Sequence, residues 1–135
     1  MTFFEKELRK IVGAIYPEAK YIGRAAYVEL GGGNRGKFEF VTLGTHEQYE
    51  AIRASVINRS DGQIDSVTLR FADLFSPKKL PMGSKKPHAW TDGGRVEWYG
   101  FTPTAADYDS LIAAVSDYTE LFEVQAPVMR QEQTM

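Results

Sequence analysis

Residues 31 to 38 read Gly-Gly-Gly-Asn-Arg-Gly-Lys-Phe, and the interval from Gly31 to Gly36-Lys37 has the spacing of a phosphate-cradling loop. That chemistry needs a Ser or Thr after the lysine to hold Mg²⁺, and a helix starting there to aim free N–H groups at the phosphates. Phe38 stands in the Ser/Thr position, and the segment from Lys37 to Thr42 alternates as a strand does. Glycines and an asparagine between two strands are what a hairpin turn demands, because positive φ is cheap for Gly and tolerable for Asn. The segment is therefore expected to be a hairpin whose exposed tip, Gly31 to Gly36, carries Asn34 and Arg35.

Other reactive groups form no constellation. His46 and His88 are the only histidines, and neither lies in a His-x-x-His or His-Glu-x-x-His spacing. Both are expected in exposed turns. The serines lack the Gly-x-Ser-x-Gly context of a nucleophile elbow. Asp65 with Glu39 or Glu97 could meet across strands, as carboxylates do on any sheet with polar outer positions. There are no cysteines, which removes thiolate ligands, Cys nucleophiles and disulfides together. No catalytic residue, metal site or cofactor is expected.

The charged segments offer contact in place of chemistry. Net charge is −2, but residues 76–88 hold Lys78, Lys79, Lys85 and Lys86 with no acid. These lysines could follow a phosphate backbone and make binding salt-dependent, or they could simply keep a long loop in solution. Trp90, Trp98 and Tyr99 could stack on unpaired bases or belong to the core, and Trp98 shares its face with Val96. From Thr102 to Ala126 there is no Lys or Arg, while Asp109, Asp117, Glu120 and Glu123 fall in one sector of a helix. Such a face can imitate a row of phosphates, or be an ordinary solvated helix face.

The elements that must position these groups are legible in outline. Thr2-x-x-Glu5 and Thr104-x-x-Asp107 are capping-box patterns that open two amphipathic helices. The first carries Phe4, Leu8, Ile11, Val12 and Ile15 on one side and is expected to end at Tyr16-Pro17. The second carries Tyr108, Leu111, Ile112, Val115, Thr119 and Phe122 and is expected to reach about Glu123. Between them lie three hairpins: residues 20–31 with 37–44, then 49–59 with 63–71, and a short third around Thr91-Asp92-Gly93-Gly94. In the second, Ile52, Ala54 and Val56 alternate with polar neighbours, as do Val67, Leu69 and Phe71. The order implies an α+β fold: an antiparallel meander of about six strands with an N-terminal and a C-terminal helix on one face. Residues 1–124 are expected as one domain and 125–135 as a flexible tail. At 135 residues the chain can bury a real core, and no apolar run reaches the ~18 residues of a membrane span, so a cytoplasmic location is expected.

The stretches 1–12, 20–52, 56–71 and 97–115 together resemble small accessory proteins of Gram-positive mobile genetic elements, a group that travels with antirestriction and type II-A anti-CRISPR proteins. The resemblance covers most of the chain and rests on no diagnostic motif. It implies a non-enzymatic protein inhibitor of a host-defence nuclease, with a Cas9–guide RNA complex or a restriction enzyme as partner. It carries no site residues across. A nucleic-acid-binding accessory protein that uses the lysine-rich loop is the alternative.

Overall fold

The computed structural model describes residues 1–44, 47–58, 62–75, 87–92, 95–98 and 101–123. The lysine-rich stretch with Lys78, Lys79, Lys85 and Lys86, together with His46, Tyr99 and the tail, lies outside the described residues.

Helix α1 (Phe3–Ile11) begins where the Thr2 hydroxyl accepts from the Glu5 amide at 3.1 Å. The Glu5 carboxylate takes Arg9 one turn on, at 2.7 Å, in place of the reciprocal half of a capping box. The helix ends at Ile11, earlier than Tyr16-Pro17, because the ladder slackens at Gly13, whose amide reaches back to the Leu8 carbonyl at 3.3 Å. A Cβ on Gly13 would lie 2.4 Å from the Arg9 carbonyl oxygen, so this turn closes only around glycine. Gly13→Ala is expected to cost about 1–3 kcal/mol through the forced backbone shift. Gly23→Ala, where φ is +61° but the space is open, should cost about 1 kcal/mol. Denaturant midpoints of the two variants would check that order.

Among the described residues, seven strands come next in one antiparallel sheet: β1 (Lys20–Ile22), β2 (Ala25–Gly31), β3 (Asn34–Thr42), β4 (Gln48–Asn58), β5 (Gly62–Arg70), β6 (Ala89–Asp92) and β7 (Arg95–Trp98). Strands β1 to β5 are joined to their neighbours as a meander. β6 then returns to β4 and pairs with it at Gln48 and Tyr49, just past the stretch that β5 covers. The first expected strand is in fact two, turned at Gly23-Arg24. The glycine-rich tip is shorter than the spacing suggests. Only Gly32 and Gly33 lie outside the strands, both at positive φ, and Gly31 already pairs with Asn34. Asn34 and Arg35 are strand residues, paired with Gly31 and Glu29 of β2 and with Asn58 and Ile57 of β4, and the Asn34 side-chain amide donates to the Phe122 carbonyl at 3.3 Å while its oxygen accepts from Asn58 at 2.8 Å.

Alternate residues of β2, β3 and β4 are apolar and buried: Val28 and Leu30, Phe38 and Phe40, Ile52 and Val56. They form the sheet's inner face. Against it pack Leu8, Ile11 and Val12 from α1 and its end, and Leu111, Val115 and Tyr118 from α3 (Ala105–Glu120). Both terminal helices thus cover one face, in an α+β arrangement of two layers. Beyond β5, a single helical turn, α2 (Phe71–Leu74), delivers Phe71 and Phe75 to an aromatic cluster around Phe40 and Trp98. Strand β5 differs from its expected pattern: Val67 is 37% exposed, Leu69 is half-buried, and Phe71 reaches the core from the helical turn. The strand stands at an edge, where neither helix covers it fully.

Candidate functional site

Helix α3 starts at a complete capping box. The Thr104 hydroxyl accepts from the Asp107 amide at 3.2 Å, and the Asp107 carboxylate accepts from the Thr104 amide at 2.9 Å. Asp107 is therefore buried at a site that suits a negative charge, where the Thr104 amide and the positive end of the helix dipole meet it.

The other end of α3 is charged the wrong way for local stability. Its last turn contains Asp117 and Glu120 and no basic residue. Carboxylates near the negative end of a helix dipole each cost about 0.3–1 kcal/mol, where a Lys or Arg would contribute as much. Asp109, Asp117 and Glu120 are exposed and, among the described residues, lack an ion-pair partner. Asp109 and Glu120 stand on one stripe about 16 Å apart, with Asp117 on its flank. Glu123, just past the helix, is half-buried and accepts a 2.6 Å bond from the Tyr16 hydroxyl. It both extends the acidic rail and ties the rail to the end of α1.

Two more phenols hold α3 in place. Tyr108 donates to the buried Glu7 of α1, and Tyr118 donates to Asp65 of β5 at 2.7 Å. Burial, reinforced by the neighbouring carboxylate, raises all three phenols, Tyr16 to about 12. All three are neutral donors at ordinary pH. The rail is thus tied at three points, to Glu7 of α1, to Tyr16 just beyond it and to Asp65 of β5, so its carboxylates stand on a rigid support.

The remaining candidates lie elsewhere. Arg35 points from the sheet's outer face, away from α3, and pairs with Glu29 at 3.0 Å. That face carries Arg24, Lys37 and Glu39 in further ion pairs, with Arg53 and Arg70 beyond them. An open trough of about 420 Å³ on it is lined by Glu18, Lys20, Ile22, Tyr27, Glu29 and Arg35. A second cleft of similar volume separates α1 from β7, between Lys6 and Glu7 on one side and Arg95 and Trp98 on the other. Asp65 and Glu39 do not meet, since one faces the helices and the other the outer side. His88 is buried rather than exposed, with its ring 6.2 Å from Trp90. Trp98 and Val96 are half-buried against the core, and Trp90 is half-buried. Among the described residues, no three metal-ligating side chains stand together, and no helix is long and apolar enough to cross a membrane.

The phenol–carboxylate tethers are not legible in the sequence. Their partners are 107, 101 and 53 positions apart, so no local pattern signals them. The chain matches no family model, no curated protein and no solved structure.

Proposed function

We propose that this chain is a non-enzymatic protein inhibitor of a host-defence nuclease, and that it acts by laying the acidic rail of α3 in the enzyme's basic nucleic-acid channel. One observation carries the reading. Asp117 and Glu120 crowd the helix end where negative charge is locally unfavourable, on a braced support and without an ion-pair partner among the described residues, which is intelligible if they meet a basic surface elsewhere. The resemblance to mobile-element accessory proteins supplies the class of target, a guide-loaded Cas9-type nuclease or a restriction enzyme. Matched potentials of this kind speed association and make it sensitive to salt.

The test is cleavage of target DNA by a panel of guide-loaded Cas9 enzymes and restriction enzymes, with and without the protein. Suppressed cleavage and co-purification are expected with at least one of them. The combined variant Asp109→Asn, Asp117→Asn, Glu120→Gln should bind at least about tenfold more weakly. It should melt no lower than the parent, because all three side chains are exposed. If every nuclease cuts at its normal rate, inhibition fails as a reading. A salt-sensitive mobility shift with nucleic acid, abolished by alanine at Lys78, Lys79, Lys85 and Lys86, would move the function to the lysine-rich stretch.

A further inference from the structure

Among the described residues, three strands leave one edge without a partner: β1, β5 and β7. Two of these edges are protected in the usual ways. β1 has three residues, and β7 has four, with Arg95 and Glu97 paired at 3.6 Å along it. β5 has nine residues and neither Lys nor Pro. It carries a bulge at Ile64 and an inward Asp65 held by Tyr118, but from Ser66 to Leu69 the edge is regular and uncharged, and Ile64 and Val67 are 45% and 37% exposed. Long unpaired edges with exposed apolar residues are templates for another strand, and natural proteins rarely leave them undefended.

We propose that the free edge of β5 pairs antiparallel with the β5 edge of a second copy of this chain, about a twofold axis at Val67. The register is set by the strand itself. The pairing with β4 shifts between Val56 and Ile57 and leaves Ile64 as an extra residue, so the regular stretch is Asp65–Arg70. An axis at Val67 keeps Asp65 to Leu69 within that stretch. Val67 then meets its own counterpart, Ser66 meets Thr68 of the second copy, and Asp65 meets Leu69 of the second copy. No like charges face each other directly, and hydroxyl and β-branched pairs are favourable cross-strand neighbours. An axis at Ser66 would set Val67 against Asp65 and run the pairing through the shifted register. The contact is self-complementary and therefore closes as a dimer instead of growing into a fibre. β1 to β5 of each copy then run side by side through the junction, with β6 and β7 of each copy attached to its own β4, and both helical layers lie on the same side of the sheet.

The chain has no cysteine, so Val67→Cys introduces a single thiol. Directly opposed residues of antiparallel strands have Cα atoms about 4.5–5.5 Å apart, within reach of a disulfide. Under mild oxidant, Val67→Cys should form a covalent dimer at least about tenfold faster than Ile22→Cys, whose side chain is 68% exposed on β1. Sedimentation of the unmodified chain should show a concentration-dependent dimer. Val67→Lys, which sets two ammonium groups at the axis, should abolish it, whereas Ile22→Lys should not. Equal cross-linking rates for the two thiols, or a monomer up to about 1 mM, would overturn the proposal.

Discussion

Phe40→Ala is expected to remove about 3–5 kcal/mol of stability and lower the melting temperature by roughly 10–20 °C. Phe40 is fully buried in the middle of β3. Its ring centroid lies 5.5 Å from Phe4, 5.8 Å from Phe3 and Phe71, and 6.4 Å from Trp98. One ring thus joins α1, α2, the central sheet and the β6–β7 hairpin. Truncation loses the transfer free energy of the ring and leaves a cavity whose walls belong to four elements that cannot all collapse inward. The tilted and edge-to-face contacts add about 0.5–1.5 kcal/mol each beyond buried area. Phe40→Leu, which keeps most of the volume, should cost less than half as much. Calorimetry on the two variants separates the cases, and a loss below about 1 kcal/mol for the alanine would mean that the aromatic cluster does not hold these elements together.

The second large effect appears at high pH. Tyr16, Tyr108 and Tyr118 have phenols raised above the ordinary value near 10, chiefly by burial and then by the carboxylates they bond. In the unfolded chain they ionise near 10, while in the fold they keep their protons, Tyr16 up to about 12. The folded state therefore binds more protons above pH 10, and stability falls as pH rises. Each phenol contributes a slope of up to about 1.4 kcal/mol per pH unit while only the unfolded form is ionised. The stabilisation is fully present below pH 10 and is lost as the pH rises through the folded values. Denaturant titrations at stepped pH should give a level unfolding free energy to about pH 9.5 and a steep decline from 10 to 12. Phenolate absorbance should rise together with unfolding. Equal stability at pH 8 and pH 11 would show that the three tethers are not made in solution.

Local physics made part of this fold readable in advance. Both helix starts followed from Thr2 and Thr104, whose hydroxyls cap the third helical amide. The hairpins followed from alternation broken by turn residues, and Gly31 to Gly33 all take positive φ. The solvent exposure of Asp109, Asp117 and Glu120 followed from helical periodicity alone. Relations between distant segments were not readable. Nothing near Ala89 or Trp90 marks their return to β4 just past the end of β5, because a strand's choice of neighbour depends on which edge is still open. His88 sits in a sequence rich in loop residues and is nevertheless buried, since β6 carries its neighbour Ala89 into the core. Val67 alternates as an inward residue should, yet its burial depends on whether a helix reaches that edge.

The shared edge of β4 has a consequence for what this chain can tolerate. Arg70 of β5 faces Ala51 and Ala89 of β6 faces Tyr49, two positions along one strand. The chain therefore leaves β4 after Arg70 and rejoins it at Ala89 at nearly the same point. Closing a longer excursion between fixed ends costs only about 0.6 kcal/mol for each doubling of its length. Lengthening or shortening the chain between Phe75 and Pro87 is therefore expected to leave the registers of β5 and β6 on β4 as they are.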